Sequence, residues 1–351
     1  MPSINWDTGT SYDFFISLLV LHHAADFGLR PSWAAGVRQR LSAPRREFLE
    51  RMYTYSGTGL EWVCDLPKPK DALDALRLAA DLEPAACFEA LTLPAEIPTA
   101  VRAVLHAIAA RRAATAADRD YLRVNFIQRG QGLPPTGLEN LVNAWAALEA
   151  SGEQLLAALQ EYYAAFFSEE ETRLRPALET GLTRGQDLAD HMTVEALIES
   201  LSHGVRIQEL GSVGKLILAP SYWASPLVFH VRPRPKQVLI VFGVRSPIQG
   251  VVPGAGAPEL LVAALKSLAD PTRLRILRFL SREALSPAEL ARRLRLRPPT
   301  VTHHLQALRL AGLVQITINE KNERRFAARI ETLNELNATL QEFLTQQDER
   351  D

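Results

Sequence analysis

The stretch TVTHHLQALRLAGLV, Thr300 to Val314, places two adjacent histidines inside what reads as a helix. Imidazoles can hold a metal ion, move a proton or donate to a nucleic acid. Gripping one ion from one helix face needs an i, i+4 spacing, whereas neighbours diverge by about 100°. Neither His303 nor His304 has a His, Cys or acid four residues away. Three further clusters have residue types suited to metal or acid–base work. His22 and Asp26 stand at i, i+4 with His23 beside them; Asp187, His191 and Glu195 stand at i, i+4, i+8; and Glu169, Glu170 and Glu171 precede Arg173. A solvated helix face laced by i, i+4 pairs explains each of them more simply. No GxSxG, phosphate loop, dinucleotide fingerprint or HExxH occurs. The expectation is a protein that is not an enzyme and needs no cofactor or metal. An enzyme or ligand-processing protein with an attached DNA-binding module is the alternative.

With 351 residues, 47% apolar and 23% charged, the chain has the composition of a globular protein of two or three domains. Its longest apolar run, Phe14 to Leu21, falls short of the roughly 20 residues of a membrane helix. No basic flank precedes that run, so it does not read as a signal peptide, and a cytoplasmic location is expected. Cys64 and Cys87 read as buried thiols. The net charge of −1 hides an asymmetry: Glu259 to Ile330 hold 14 Lys or Arg against 6 Asp or Glu. A basic block in an otherwise acidic chain suits a polyanion-binding module.

The elements that would position these residues divide at SPIQGVVPGAGAPE, where prolines and glycines exclude helix and strand. Residues 1–245 form one region, 246–258 a linker and 259–346 a second domain. The first region reads as helices followed by a small antiparallel sheet made from GKLILAP, PLVFHV and QVLIVFGV. Within RGQGLPPTG, Arg129 to Gly137, residues 130–137 are a point where it could divide into two lobes. Trp33, Trp62, Trp145, Tyr162, Tyr163, Phe166, Phe167, Tyr222 and Trp223 could line an apolar effector pocket, although core packing explains aromatics more often.

In the second domain, Asp270 before Pro271 and Ser286 before Pro287 are helix starts, with Glu289 completing a capping box. Leu274, Leu277 and Leu280 make the expected inner stripe of the first helix. In the third helix, from Pro298, Val301, Leu305 and Leu308 form the seam, Thr302, His303 and Gln306 lie opposite, Thr300 flanks them, and His304 sits at the edge. LVQITIN and RRFAARI then make a hairpin with Lys321, Arg324 and Arg325 near its tip, and a Leu-striped helix ends the domain. Helix, helix, short turn, helix and basic-tipped hairpin is a winged helix-turn-helix pattern. The overall expectation is a mainly helical protein with small β elements.

LADPTRLRIL, ELARRLRLRPPTVTHHLQALRLAGLV and the hairpin resemble the arsenical-repressor (ArsR/SmtB) type of bacterial regulators. The chain from YDFFISLLVLHH to LAPSYWASPLVF resembles, faintly, the helical domain that long members carry ahead of the winged helix. The resemblance implies a homodimeric repressor on a palindromic operator in double-stranded DNA, with an effector acting through the N-terminal domain. It implies DNA contacts from Arg293, Arg295, Arg297, Thr300, Thr302, His303, His304, Gln306, Arg309, Lys321, Arg324 and Arg325. It implies dimerisation through the first and last helices of the module, using Leu261, Leu265, Leu333, Leu336, Leu340 and Leu344. The sequence departs from the family in three ways: Arg297 replaces the usual hydroxyl cap, the wing lacks its glycine, and the cysteine pair and Asp/His set of the metal sensors are missing.

Overall fold

The structure is a computed structural model, describing residues 2–27, 29, 31–128, 131–202, 204–207, 213–225, 227–245, 259–318 and 324–345. The expected linker, 246–258, lies outside the described residues.

The N-terminal region is built around the helix Thr10–His22, in which every residue from Thr10 to Leu21 is buried. A helix apolar all round, as FFISLLVL is, can only sit inside a larger body. Helices wrap it and share one core with it, running from Tyr12 to Val241. That core crosses the 130–137 segment without a break: Leu122 and Leu138 both belong to it, and Trp145, fully buried, meets the His106 ring at 5.4 Å. The region is therefore one body and not two lobes. Two short strands, β2 (Ile127–Gln128) and β3 (Gln131–Gly132), pair antiparallel in this segment.

Four strands close one side of the helical body. They are β1 (Ser3–Trp6), β5 (Lys215–Ser221), β6 (Val228–Arg234) and β7 (Gln237–Gly243), in the order β1-β5-β7-β6. The expected antiparallel sheet is in fact mixed: β1–β5 and β5–β7 are parallel, and only β6–β7 is antiparallel. The reason is burial on both faces. Ile217, Ala219, Leu239 and Val241 join the helical core, while Leu216, Leu218, Val238 and Ile240 pack on Leu197, Ile198 and Leu201. Central strands of that kind read as unbroken apolar runs, which do not reveal pairing direction. β1 went unrecognised in the sequence because four residues are too few for a period.

The C-terminal domain contains the helices Glu259–Leu268, Pro271–Leu280, Pro287–Leu294, Pro298–Leu310 and Ile330–Thr345. Its core gathers Ile276, Leu280, Leu285, Leu290, Leu294, Val301, Leu305, Leu308 and Phe326. Leu274 is not part of it: that side chain is 48% exposed, and Ile276 takes the inner position. The hairpin is β8 (Val314–Ile318) with β9 (Arg324–Ala328). β9 also bridges to Leu285, and the far edge of β8 is occupied by β4 (Val205–Ile207) of the N-terminal region, in parallel. The two regions are thus joined by backbone hydrogen bonds as well as by the chain; the Ile316 N–H donates to the Gly204 carbonyl at 2.9 Å.

Candidate nucleic-acid interface

Each helix of the module begins as local chemistry dictates. Asp270 accepts from the Thr272 and Arg273 N–H groups at 2.8 and 2.9 Å, which holds its carboxyl below the usual carboxylate range. Ser286 and Glu289 form the full capping box, at 3.3 and 2.7 Å. The backbone hydrogen bonds from Ser286 likewise hold the Glu289 carboxyl down. The helix Pro298–Leu310 starts at Arg297 with no side-chain cap, as the missing hydroxyl implies, and ends at Gly312 in the left-handed region, φ 69°.

On that third helix, Val301, Leu305 and Leu308 are buried at 0–1% exposure, while Thr300, Thr302 and His303 are exposed and Gln306 is half-buried. The hydroxyl of exposed Thr302 donates back to the Pro298 carbonyl at 3.0 Å. The rings of His303 and His304 are 6.1 Å apart and diverge. His304 is half-buried beside Asp270, burial pulls its pKa down, and its Nδ1 has no hydrogen-bond partner among the described residues. It belongs to the packing edge more than to the outward face.

The arginines fall into two sets. Arg292, Arg295 and Arg297 are exposed around the turn that precedes the third helix. Arg295 caps the helix Pro287–Leu294 in the left-handed conformation, φ 56°, which sets the tight angle between the two helices. Arg293 and Arg325 hold the module together instead. Arg293 pairs with Glu283 at 2.6 Å and lies over the Phe279 ring at 5.9 Å. Arg325 donates to the Ala284 carbonyl at 2.9 Å and pairs with Glu289 at 3.2 Å, pinning the wing to the turn unit. Both pairs are exposed and weak, so a phosphate can displace either. Arg309 is half-buried, and burial brings its pKa down to about 10, with Arg324 adding like-charge repulsion. Arg324 itself is exposed at the start of β9. Lys321 lies outside the described residues.

The six leucines assigned to dimerisation also separate. Leu261 is buried, 3% exposed, and Leu333 and Leu336 pack against the core of their own module. Leu265 and Leu344 stay exposed at 41% and 71%, with Leu340 half-buried between them in sequence. Leu274, which the sequence had placed inward, adds to the exposed apolar set.

Of the other clusters, the one of Asp187, His191 and Glu195 does not assemble, and the Asp26 side chain of the His22 cluster lies outside the described residues. The helix Ser168–Ala189 stops before His191, and Thr193 caps a new helix, Val194–Leu201. Asp187, His191 and Glu195 are therefore exposed side chains on separate segments, not one face. The His22 Nδ1–H donates to the Leu18 carbonyl at 2.8 Å, the ring stacks on Tyr53 at 4.7 Å, and burial brings its pKa down to about 4. Glu170 pairs with Arg173 at 2.5 Å, while buried Glu171 accepts from Thr10 and Tyr163. Among the described residues no three His, Cys, Asp or Glu are grouped to hold a metal ion. The aromatics that could have lined a pocket fill the core: Trp145, Tyr162, Phe167 and Trp223 are at most 2% exposed. Cys87 is buried and Cys64 half-buried. No described helix is long and apolar enough to cross a membrane.

Comparison with known proteins agrees with this geometry over one part of the chain. No curated protein matches it. A family model described as a helix-turn-helix domain matches residues 268–317, from the end of the first C-terminal helix into β8. The chain carries a helix-turn-helix DNA-binding domain.

Proposed function

We propose that the protein is a transcriptional regulator of the arsenical-repressor type: a homodimeric repressor that binds a palindromic operator and is released through its N-terminal domain. The observation that carries this reading is the division of the helix Pro298–Leu310 into a sealed seam and an outward row of Thr300, Thr302 and His303. Small polar side chains on such a row suit base edges in a major groove, and Arg292, Arg295 and Arg297 beside them suit phosphates. Exposed Leu265 and Leu344, with half-buried Leu340, on the two flanking helices supply the apolar surface for a second copy. The N-terminal domain is the sensing half in this scheme, and the β4–β8 pairing is its route to the wing. Any movement of β4 pulls on the sheet that carries Arg324 and Arg325.

A non-enzymatic role is supported by the dispersal of Asp187, His191 and Glu195 and by the structural work of His22 and Glu171. A footprint on the DNA upstream of its own gene tests the proposal. Two protected half-sites about one helical turn apart are expected. Affinity is expected to fall by about 10³–10⁵ between 50 and 200 mM salt if about 6–10 phosphates are contacted. Salt-insensitive binding, or none, would refute it.

A further inference from the structure

We propose that the N-terminal domain binds a small dianion, a phosphate ester or a dicarboxylate, in a cleft between the start of its sheet and residues 64–70, with Lys68 and Lys215 as the recognising charges. The cleft has a volume of about 350 Å³, which is the size of a small-ligand site. One wall is the helix-facing side of the sheet, at Asn5, Lys215 and Gln237; the other is the end of the helix Leu60–Asp65 and the chain after it. Pockets for neutral ligands are lined mainly by apolar side chains. This one is lined by four cations and two carboxylates.

The charges do not cancel. Lys70 and Asp7, at 5% and 6% exposure, form a buried pair at 2.5 Å. The Lys70 ammonium also donates to the Cys64 carbonyl at 2.7 Å, and the Tyr12 hydroxyl donates to Asp7 at 2.7 Å. Asp65 is taken by Arg234 at 2.9 Å. Lys68 stands 4.0 Å from the already satisfied Asp7, with its side chain 66% exposed. Lys215 makes no ion pair among the described residues, and the Asn5 amide oxygen steadies its ammonium at 2.9 Å. Two positive charges without matching carboxylates therefore share one concavity, beside a buried ion pair. An anion between them relieves their repulsion, and their combined positive potential raises its local concentration there. Burial pushes the Cys64 thiol up to about 11, so it brings no competing negative charge at neutral pH.

Lys215 also opens β5, the next strand in the chain after β4, which is paired to the wing. That consequence for DNA rests on the regulator reading; the binding itself does not. The test is calorimetric titration of the full chain with inorganic phosphate, and separately with succinate, at an ionic strength fixed with sodium chloride. Saturable binding of at least one is expected, weakened about tenfold or more by Lys215→Ala and by Lys68→Ala. Both side chains are at the surface, and anion-free thermal melts superimposable on that of the parent check that each variant is folded. Binding of phosphate alone assigns a phosphate ester, and of succinate alone a dicarboxylate. No saturable heat with either, or binding that both substitutions leave intact, overturns the proposal. Because DNA is absent, a failed footprint does not alter this result, and a failed titration leaves the footprint standing.

Discussion

In the C-terminal module charged side chains stand on the outside of short capped helices, whereas in the N-terminal domain several are sealed inside. Arg293–Glu283 and Arg325–Glu289 are half or more open to solvent on at least one side. Lys70–Asp7, Asp13 and Glu171 are buried and bonded to residues far away in the chain: Asp13 accepts at Oδ1 from the Ser221 hydroxyl and the Trp223 N–H, while its buried Oδ2 has no hydrogen-bond partner among the described residues, and Glu171 accepts from Thr10. A surface charge can be exchanged for a phosphate at little cost, which a DNA-binding face requires. A buried one is fixed in place and ties the fold to its own protonation and to whatever ion approaches it.

The largest expected effect tests this contrast directly. Lys70→Met leaves the Asp7 carboxylate buried without its cation and should cost about 3–5 kcal/mol in urea denaturation. Arg293→Met should leave the urea midpoint essentially unmoved. Equal losses would remove the distinction.

Next is pH, where the two regions should respond with opposite sign. Burial raises the Asp13 carboxyl to about 7, only partly offset by its hydrogen bonds from Trp223 and Ser221. The folded state then holds this proton more tightly than the unfolded chain. The stabilisation is full below the unfolded value of 3.8 and is lost as pH rises through about 7. Asp270, held down by the N–H groups of Arg273 and Thr272, contributes above its unfolded value and loses that contribution as pH falls. Asp13→Asn should therefore flatten the decline in stability between about pH 4 and about pH 7, read from urea midpoints. Asp270→Ala should cost about 1 kcal/mol at neutral pH and less in acid.

DNA binding sharpens the comparison within the module. His303→Ala or Gln306→Ala should change the ranking of operator variants by about 1–3 kcal/mol at one base pair. Arg297→Ala should weaken all sequences alike and reduce the salt slope by about one. Competition binding over a panel of single-base changes separates the two. The smallest effect is expected at Arg295, whose left-handed backbone suits glycine better. Arg295→Gly should raise the melting temperature slightly while weakening DNA binding; a fall in both would mean that the arginine side chain itself holds the turn.

Much of the module was legible in the sequence because its signals are local. Caps, prolines at the first helical turn, the three-residue seam of Val301, Leu305 and Leu308 and the outward row all lie within one or two turns of each other. The misreading of Leu274 for Ile276 shows the limit. LRILRFL carries apolar residues at enough positions to draw more than one stripe, and contact with the rest of the core selects among them. In the N-terminal domain the decisive contacts are remote: the Ser3 hydroxyl reaches the Gly214 carbonyl, and Asp7 meets Lys70, 63 residues further along the chain. No spacing in the chain announces such pairs. Asp187, His191 and Glu195 failed for the complementary reason, since an ideal i, i+4, i+8 spacing counts only while one helix persists.

The sequence by itself determined that a basic helix-turn-helix lies near the carboxyl end and which side of its third helix is polar, because helical geometry converts spacing into faces. Only the tertiary structure decided that β4 extends the wing sheet, that the larger sheet is mixed, and that two lysines face one cleft. Those outcomes depend on residues brought together from distant parts of the chain, and strand pairing and charge proximity leave no periodic trace in the order of amino acids.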